Sequence, residues 1–340
     1  MPHRSDFLSD NTAGICPEAL AAFTAANAGF VPSYGADPIT RQASEAIRTL
    51  LDADAEVRFV STGTVANAIA CSALCGPSEA VLAYEQAHIL LHEAGAPGFF
   101  GGGLAIEPLA GIDGRIDPDA LRHAIDRPRA GGERRAAALS LTNATEYGTI
   151  YDDALFGRAC RMAKEAGLGV HLDGARLANA VAAGFDLKQL ARSGVDIVVL
   201  GGSKAGAPFS EAIVLLNGTL ADGFDERLKR CGQLTSKMRL LAAPWLGLLD
   251  GEGAERPWIA HARHANAMAR RLADSLPFAT AYPVESNAVF VEMSQDRQDA
   301  LAARGWDLAR FEDGSVRFVC SWATSAEAVE ALIADATALA

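Results

Sequence analysis

Through the first two thirds of the chain, short apolar runs alternate with longer segments of helical periodicity. Most of the runs are bounded by glycine, asparagine or aspartate, and the residues within them are nearly all apolar. Such runs are typical of strands buried on both faces, and their alternation with helices predicts a mostly parallel sheet. The seven predicted strands are VRFVSTG (57 to 63), AVLAYE (80 to 85), GLAIEPL (103 to 109), AALSLTN (137 to 143), GVHLDGA (169 to 175), IVVLGGS (197 to 203) and EAIVLLN (211 to 217).

The pattern changes after Pro244, where a long helical segment, WIAHARHANAMARRLADSL, is followed by two runs of alternating polarity. These runs are AVFVEM (288 to 293) and VRFVCSW (316 to 322), and they indicate a second, smaller α+β unit. We therefore expect three parts. They are an N-terminal segment that contributes to the active site (1 to 20), a large cofactor-binding domain (21 to 249) and a small C-terminal domain (250 to 340).

Composition narrows the classes of partner. The chain has 340 residues, of which 50% are hydrophobic, enough for a large core. Its formal net charge of −12 disfavours binding to nucleic acid or to an anionic membrane surface, so small molecules are the expected partners. The six cysteines show no C-x-x-C spacing and predict reduced thiols, not a disulfide framework or a zinc site. With no signal peptide or membrane-spanning segment in the sequence, we expect a cytoplasmic protein.

The residues that follow the predicted strands carry the candidate chemistry, because open α/β sheets bind ligands at the carboxyl ends of their strands. The first run ends in Ser61, Thr62, Gly63 and Thr64 and continues into a helix whose free N-terminal amides and hydroxyls suit a phosphate group. His88 and His92 follow the second strand, four residues apart. They lack the H-E-x-x-H pattern and a clear third ligand, so the sequence predicts no metal site.

Asp173 lies at the carboxyl end of the fifth predicted strand and Lys204 follows the sixth, about one strand-helix-strand unit apart. A carboxylate at that position needs a partner, so one interpretation is a structural ion pair. The other is cofactor chemistry, because a lysine in an apolar pocket has a lowered pKa and its free amine attacks carbonyl groups. Pyridoxal phosphate needs such a lysine, an acid for its ring nitrogen and donors for its phosphate, among which Ser203 is a candidate. The glycines around Lys204 match neither G-x-x-x-x-G-K-[ST] nor G-x-S-x-G.

Seven segments carry a resemblance that covers nearly the whole chain. They are SDN, YGADP, STGTVAN, HILLHEAGAP, HLDGARLANA, GGSKAGAPFSEAIVL and VRFVCSW. Together they resemble the low-specificity L-threonine aldolases, and HLDGAR followed at this distance by GGSK is the most specific part. Two further segments, SDNTAGICPEA and SKMRLLAAPW, are similar to the Pseudomonas-like subgroup.

The resemblance implies pyridoxal-phosphate fold type I, an aspartate aminotransferase-like α/β fold with a mostly parallel seven-stranded sheet, helices on both faces and a smaller C-terminal α+β domain. It implies cleavage of L-threonine, L-allo-threonine and other L-3-hydroxy amino acids such as phenylserine to glycine and an aldehyde. It also implies a homotetramer, a dimer of dimers whose active sites are shared between subunits.

By position, the resemblance makes Lys204 the Schiff-base lysine, Asp173 the partner of the pyridine nitrogen and His88 the residue that stacks on the ring and assists catalysis. The remaining implied roles are phosphate binding by Gly63 and Thr64, substrate-carboxylate binding by Arg176, Arg317 and Ser9, further cofactor contact by Arg176, and donation of Tyr34 to the neighbouring subunit's site. Without the resemblance, Arg317 on its alternating strand would be read as facing solvent.

Two segments depart from the family pattern. LKRCGQLTSKMR replaces a basic, glycine-rich stretch, which leaves Lys237 and Arg239 as candidates for phosphate binding across the dimer. SLTNATEYG lacks the histidine of the more common ENTHN segment, so any second imidazole assisting His88 must come from elsewhere. His123 lies in a helical pattern and is expected at the surface.

Other activities on the same cofactor stay open, because the lysine and the ring do not choose which bond breaks. A β-eliminating lyase or an aminotransferase is the nearest alternative, and a non-catalytic pyridoxal-phosphate sensor is an alternative of another class. The outcome with threonine and allo-threonine distinguishes them: acetaldehyde with glycine for the aldolase, an oxo acid with ammonia for elimination, a pyridoxamine form of the cofactor for transamination, or no turnover for the sensor.

Overall fold

The computed structural model describes residues 3–128, 131–311 and 313–339. Residues 1, 2, 129, 130, 312 and 340, which the predicted domain ranges include, lie outside the described part. In chain order the strands are β1 (Glu56–Val60), β2 (Glu79–Tyr84), β3 (Ala105–Leu109), β4 (Gly111–Ile112), β5 (Arg115–Ile116), β6 (Arg135–Thr142), β7 (Gly169–Gly174), β8 (Ile197–Leu200), β9 (Glu211–Leu215), β10 (Ala288–Glu292), β11 (Ala309–Arg310) and β12 (Ser315–Val319).

The main sheet of the described residues has seven strands in the order β1-β9-β8-β7-β6-β2-β3. Each of the seven predicted runs forms one of these strands, so the predicted sheet is confirmed. The neighbours β8-β7-β6-β2-β3 are parallel, and β9 runs antiparallel to both β8 and β1. All strands except β9 therefore point the same way, which places their carboxyl ends along one edge of the sheet.

Helices cover this sheet, and α3 and α7 both pack against β7. The helices are α1 (Pro17–Ala26), α2 (Pro38–Leu51), α3 (Gly63–Leu74), α4 (His88–Leu91), α5 (Ala96–Phe100), α6 (Pro118–Asp126), α7 (Asp153–Glu165), α8 (Leu177–Ala182), α9 (Gln189–Arg192), α10 (Phe224–Arg230), α11 (Met238–Leu248), α12 (Pro257–Ser275), α13 (Gln295–Ala303) and α14 (Ala326–Thr337). Pro244 lies inside α11 and is buried, so the change of pattern there does not mark the end of a helix. Within the described ranges, no helix combines the length and apolar character needed to cross a bilayer.

The C-terminal part has its own antiparallel sheet, in the order β10-β12-β11, and its own apolar cluster. The two alternating runs of the sequence form β10 and β12, as expected from their period of two. Helices α12 and α14 contribute buried residues to the cluster. The division into domains at residues 20 and 249 stays a proposal.

The N-terminal segment packs against this C-terminal sheet. The backbone N–H of Arg4 donates to the Gly305 carbonyl at 2.8 Å, and the Val319 N–H donates to the Phe7 carbonyl at 2.8 Å. The Phe7 ring is buried and lies 6.4 Å from the Phe318 ring. These contacts fix the path of the chain just before Ser9 and Asp10.

The close approach between the ends of β7 and β8 generates a prediction. A Cβ atom added at Gly201 would overlap the backbone of Ala175. Because the nearest atoms belong to the backbone and not to a flexible side chain, they cannot easily move aside. Because overpacking of this kind costs about 1 to 3 kcal/mol, Gly201→Ala should lower the free energy of unfolding by that amount. Gly218→Ala is the control, since nothing lies within 4 Å of a Cβ there. Equal thermal midpoints for the two variants would contradict the prediction.

Candidate active site

Lys204 lies in a short 3-10 turn, Ser203–Ala205, that follows the fully buried strand β8. The turn is held from β9 by Glu211, whose carboxyl group accepts a hydrogen bond from the Gly202 N–H at 2.7 Å and another from the Ser203 hydroxyl. Burial raises the pKa of Glu211, although these hydrogen bonds and Lys204 oppose the shift. Sequence analysis identified the lysine at the end of this strand but did not identify the Glu211 carboxyl group that holds the turn.

The Lys204 side chain lines a cavity of about 370 Å³ at the carboxyl edge of the sheet. Among the described residues, no hydrogen bond engages its Nζ atom. Burial and the nearby Arg176 guanidinium lower the pKa of Lys204, while Asp10 and Asp173 act in the opposite direction. A lysine with these properties is suited to act as a nucleophilic amine.

Asp173 is the penultimate residue of β7 and is buried, with an exposed fraction of 3%. Its Oδ2 accepts from Asn67 Nδ2 at 2.8 Å, and its Oδ1 accepts from the Ala175 N–H at 3.0 Å. Burial opposes its ionised form, but Lys204 and the Ala175 N–H hold the pKa of Asp173 below its ordinary value. In the described part of the chain, no ion pair within 4.0 Å joins Asp173 to Lys204. The interpretation of these two residues as a structural ion pair therefore loses its basis.

His171 precedes Asp173 by two residues, so the two side chains lie on the same face of β7. Its Nδ1 shares a hydrogen bond of 2.9 Å with the Ser140 hydroxyl, while its Nε2 is buried without a partner. Burial lowers the pKa of His171, although Asp173 opposes the shift. His171 is thus a neutral imidazole next to the carboxylate.

A second buried carboxyl group, Glu93, links Asp173 to His88. Asn67 Nδ2 donates both to Asp173 and to Glu93 Oε1, at 2.9 Å, and the same oxygen shares a hydrogen bond of 2.9 Å with His88 Nδ1. Burial raises the pKa of Glu93, while its hydrogen bonds with His88 and Asn67 lower it. Sequence analysis missed Glu93 and Asn67, because neither follows a strand directly. The five-residue spacing from His88 in HILLHEAGAP was the one available signal.

Glu146 approaches His88 from another side. Its Oε1 accepts from the His88 backbone N–H at 2.8 Å and from the Thr142 hydroxyl at 3.1 Å, and its Oε2 is buried without a partner. Burial and the charge of Asp173 raise the pKa of Glu146, although its hydrogen bonds oppose the shift. Glu146 belongs to the SLTNATEYG segment, which lacks the histidine of the related pattern. A carboxyl group is therefore the ionisable side chain that this segment brings to His88.

The start of α3 faces the same cavity, which is also lined by Thr62, Gly63 and Thr64. The Thr62 hydroxyl caps the helix by accepting from the Val65 N–H at 3.3 Å. No atom lies within 4 Å of a Cβ built on Gly63, so the space beside these amides is open. A helix N-terminus with this opening suits a phosphate group.

Arg176 is committed to a carboxylate of the N-terminal segment. Its Nε donates to Asp10 Oδ2 at 2.7 Å and its Nη2 donates to Asp10 Oδ1 at 2.8 Å, in a buried bidentate pair. Burial opposes the ionised form of Asp10, but Arg176 and Lys204 hold its pKa below the ordinary value. Ser9 immediately precedes Asp10 in the chain, and its hydroxyl accepts a hydrogen bond from the Asn11 N–H. Sequence analysis did not identify Asp10.

Arg317 lies close to this pair, but the described residues engage few of its donors. Its Nη2 makes a long hydrogen bond of 3.4 Å to the Leu8 carbonyl, and its Nε is buried without a partner. Burial and the nearby Arg176 lower the pKa of Arg317 to about 10. The side chain therefore does not face open solvent, as its alternating strand alone would suggest. A half-buried guanidinium whose Nε has no hydrogen-bond partner among the described residues is suited to bind an anion.

Tyr34, Lys237 and Arg239 do not line the cavity that contains Lys204. Tyr34 is 57% exposed, and its backbone N–H donates to the Ser236 carbonyl at 3.2 Å. Arg239 Nη1 donates to the carbonyls of residues 28 and 29. These residues thus form one exposed region of a single chain, and their predicted part in a neighbouring site remains a prediction.

Comparison with known proteins agrees with this geometry. Residues 6–296 match the beta-eliminating lyase family. The low-specificity L-threonine aldolase of Pseudomonas aeruginosa is 40% identical over 340 residues, which cover 98% of this chain and 97% of that protein. The threonine aldolase structure from Leishmania major matches with a TM-score of 0.90 and 28% identity, covering 99% of each chain.

A more distant structure matches in fold alone. Serine palmitoyltransferase from S. paucimobilis, solved with pyridoxal phosphate and myriocin bound, has a TM-score of 0.69 and 17% identity, covering 99% of this chain and 86% of that chain. These matches confirm the predicted fold type I architecture and the resemblance to the threonine aldolases. The chain therefore belongs to the beta-eliminating lyase family and, within it, groups with the low-specificity L-threonine aldolases.

Proposed function

We propose that the protein is a pyridoxal-phosphate-dependent aldehyde-lyase that cleaves L-threonine and L-allo-threonine to glycine and acetaldehyde. Other L-3-hydroxy amino acids, such as phenylserine, belong to the same proposal. The observation that carries it is the cavity that brings together an amine without a hydrogen-bond partner, Lys204, and a histidine held by a carboxyl group, His88.

The residues present fit pyridoxal phosphate. Lys204 would hold its aldehyde carbon, Asp173 its ring nitrogen, and the open start of α3 at Gly63 and Thr64 its phosphate. The unpartnered Lys204 amine and the empty space beside Gly63 support this assignment. When bound, the cofactor supplies an electron sink for negative charge at the α carbon of the amino acid.

His88 is the proposed base for the β-hydroxyl proton. Its Nδ1 is occupied by Glu93, so Nε2 is the nitrogen free to accept a proton. Glu93 fixes the orientation of the ring, and its carboxylate form stabilises the imidazolium that results, as an orienting carboxylate does in other base-carboxylate pairs. Glu146 holds the backbone from which the ring projects.

Arg317 is the proposed anchor for the substrate carboxylate, because Asp10 already occupies two donors of Arg176. A guanidinium has five donors, so Arg176 keeps some for the substrate or the cofactor, with Ser9 nearby. Clamping this carboxylate fixes the amino acid, and with it the bond that is aligned for cleavage.

The assembly and location belong to the proposal in their finer detail. A homotetramer with shared sites would place Tyr34 in the neighbouring subunit's cavity. Ser203 has a separate proposed role beside the cofactor's phosphate. The exposure of Tyr34 supports such a contact. A cytoplasmic location agrees with the six free thiols.

The products test the proposed function. Purified protein with added pyridoxal phosphate should convert L-threonine and L-allo-threonine to equal amounts of acetaldehyde and glycine. Lys204→Ala should nearly abolish turnover, because no other described side chain in the cavity offers an amine. Formation of an oxo acid with ammonia, or of a pyridoxamine form of the cofactor, would instead assign β-elimination or transamination. No turnover of any amino acid by protein that binds the cofactor would assign a sensor.

The His88–Glu93 pair generates a graded prediction. His88→Ala should lower kcat by about 10² to 10⁴, the usual contribution of a general base. Glu93→Gln should lower kcat by a smaller factor of about 10 to 100 and change the pH profile of kcat/KM, because the ring stays but loses its charged partner. Glu85→Gln is the control, since this carboxylate is exposed and only three residues from His88. An unchanged pH profile in Glu93→Gln would contradict the assignment.

Arg317 gives a separate prediction about binding. A hydrogen bond to a charged group contributes about 1.5 to 3 kcal/mol, so Arg317→Gln should raise KM for threonine by about 10- to 100-fold. Arg317→Lys should recover part of this loss, because an ammonium keeps the charge but not the bidentate geometry. Arg310→Lys on the adjacent strand, where the exposed guanidinium pairs with Asp299 at 2.8 Å, is the control. A loss of cofactor affinity with no change in KM would refute the assignment.

A further inference from the structure

A cluster of side chains of the types that bind metal ions lies next to the turn that carries Lys204. Cys16 Sγ, a Glu18 carboxylate oxygen and a His261 ring nitrogen all lie within 4.8 Å of one another. Cys16 is the N-cap of α1, Glu18 lies in the first turn of α1, and His261 lies on α12. The cluster therefore joins the N-terminal region to the long helix of the C-terminal part.

One distance within the cluster matches the spacing of ligand atoms in a tetrahedral site. Zn²⁺ binds sulfur at about 2.3 Å and nitrogen or oxygen at about 2.0 to 2.2 Å, which places neighbouring ligand atoms about 3.3 to 3.8 Å apart. His261 Nε2 and Glu18 Oε2 are already 3.5 Å apart. Small side-chain movements would bring the Cys16 sulfur to a similar distance.

Two polar atoms of the cluster make no hydrogen bond with the described residues. Glu18 Oε2 and His261 Nδ1 are both buried without a hydrogen-bond partner. The Trp322 ring lies 5.8 Å from the His261 ring and restricts its orientation.

The donor set selects the class of ion. A thiol, an imidazole and a carboxylate together favour Zn²⁺ and similar borderline cations over Mg²⁺ or Ca²⁺, which prefer oxygen ligands. With 40% of the Glu18 side chain and 18% of the His261 side chain exposed, a water molecule can supply a fourth ligand. We propose that Cys16, Glu18 and His261 bind Zn²⁺ or a similar thiophilic divalent cation.

The position of the site beside the catalytic turn is fixed by direct contacts. The Cys16 N–H donates to the Gly206 carbonyl at 2.9 Å, two residues after Lys204. A Cβ at Gly206 would lie 2.8 Å from Cys16 Sγ, so sulfur and turn are in close contact. His261 and Lys204 also line the same small internal cavity.

Co²⁺ is the probe, because a bound thiolate produces a near-ultraviolet charge-transfer band and tetrahedral coordination produces intense visible bands. The full-length protein with its pyridoxal phosphate should bind one Co²⁺ per chain with both features, and Zn²⁺ should displace it. The other cluster of this kind, His88, Glu93 and Asp173, contains no cysteine and gives no thiolate band. The spectrum therefore separates the two positions, independently of catalytic activity.

Variants complete the test. Cys16→Ser should abolish the charge-transfer band. Loss of an outer-shell partner lowers metal affinity by about 10- to 100-fold. Glu18→Gln and His261→Gln each remove a direct ligand, so each should weaken Co²⁺ affinity by at least that factor. Cys231→Ser is the control, since this partly buried thiol lies outside the cluster. Should Cys16→Ser not fold by circular dichroism, His261→Gln decides alone. Absence of the band in the native protein, its persistence in folded Cys16→Ser, or unchanged affinity in His261→Gln would overturn the proposal.

Discussion

The buried charge of Asp173 at the end of a central strand sets the arrangement of the polar groups around it. An ionised carboxylate in this position is stable only with donors and cations close by, and Asn67 and the Ala175 N–H provide two hydrogen bonds. Asn67 gives its second amide hydrogen to Glu93, which in turn holds the His88 ring. The group that solvates the proposed ring-nitrogen partner therefore also fixes the proposed base.

Carboxyl groups elsewhere in the site occupy some donors and leave others unengaged. Asp10 takes two donors of Arg176 and leaves the neighbouring Arg317 with an unpartnered Nε. Glu211 accepts from the Gly202 N–H, and no hydrogen bond within the described part of the chain engages the Lys204 amine. The selective pairing of buried groups is what makes one guanidinium and one amine available to ligands, and residues outside the reacting centre control it.

The sequence predicted the sheet well, because continuous apolar runs are a strong signal for buried strands. It did not reveal that β9 runs antiparallel, since a strand buried on both faces has the same pattern in either direction. Lys204 and Asp173 could be identified from the sequence because they lie at the carboxyl ends of predicted strands. Asp10 and Glu93 were not, because they reach the site from a short N-terminal turn and from a loop, and only tertiary contacts bring them there.

The pairing of the N-terminal segment with the C-terminal sheet determines when the site can be completed during synthesis on the ribosome. The contact between Arg317 and Leu8 spans 309 residues of chain. The strands of the main sheet are all present once β9 has been made, whereas the strand that carries Arg317 emerges among the last elements. A nascent chain therefore has the proposed Schiff-base lysine available before the proposed carboxylate anchor, and closure of the site is a late event that waits for the contact between Leu8 and Arg317.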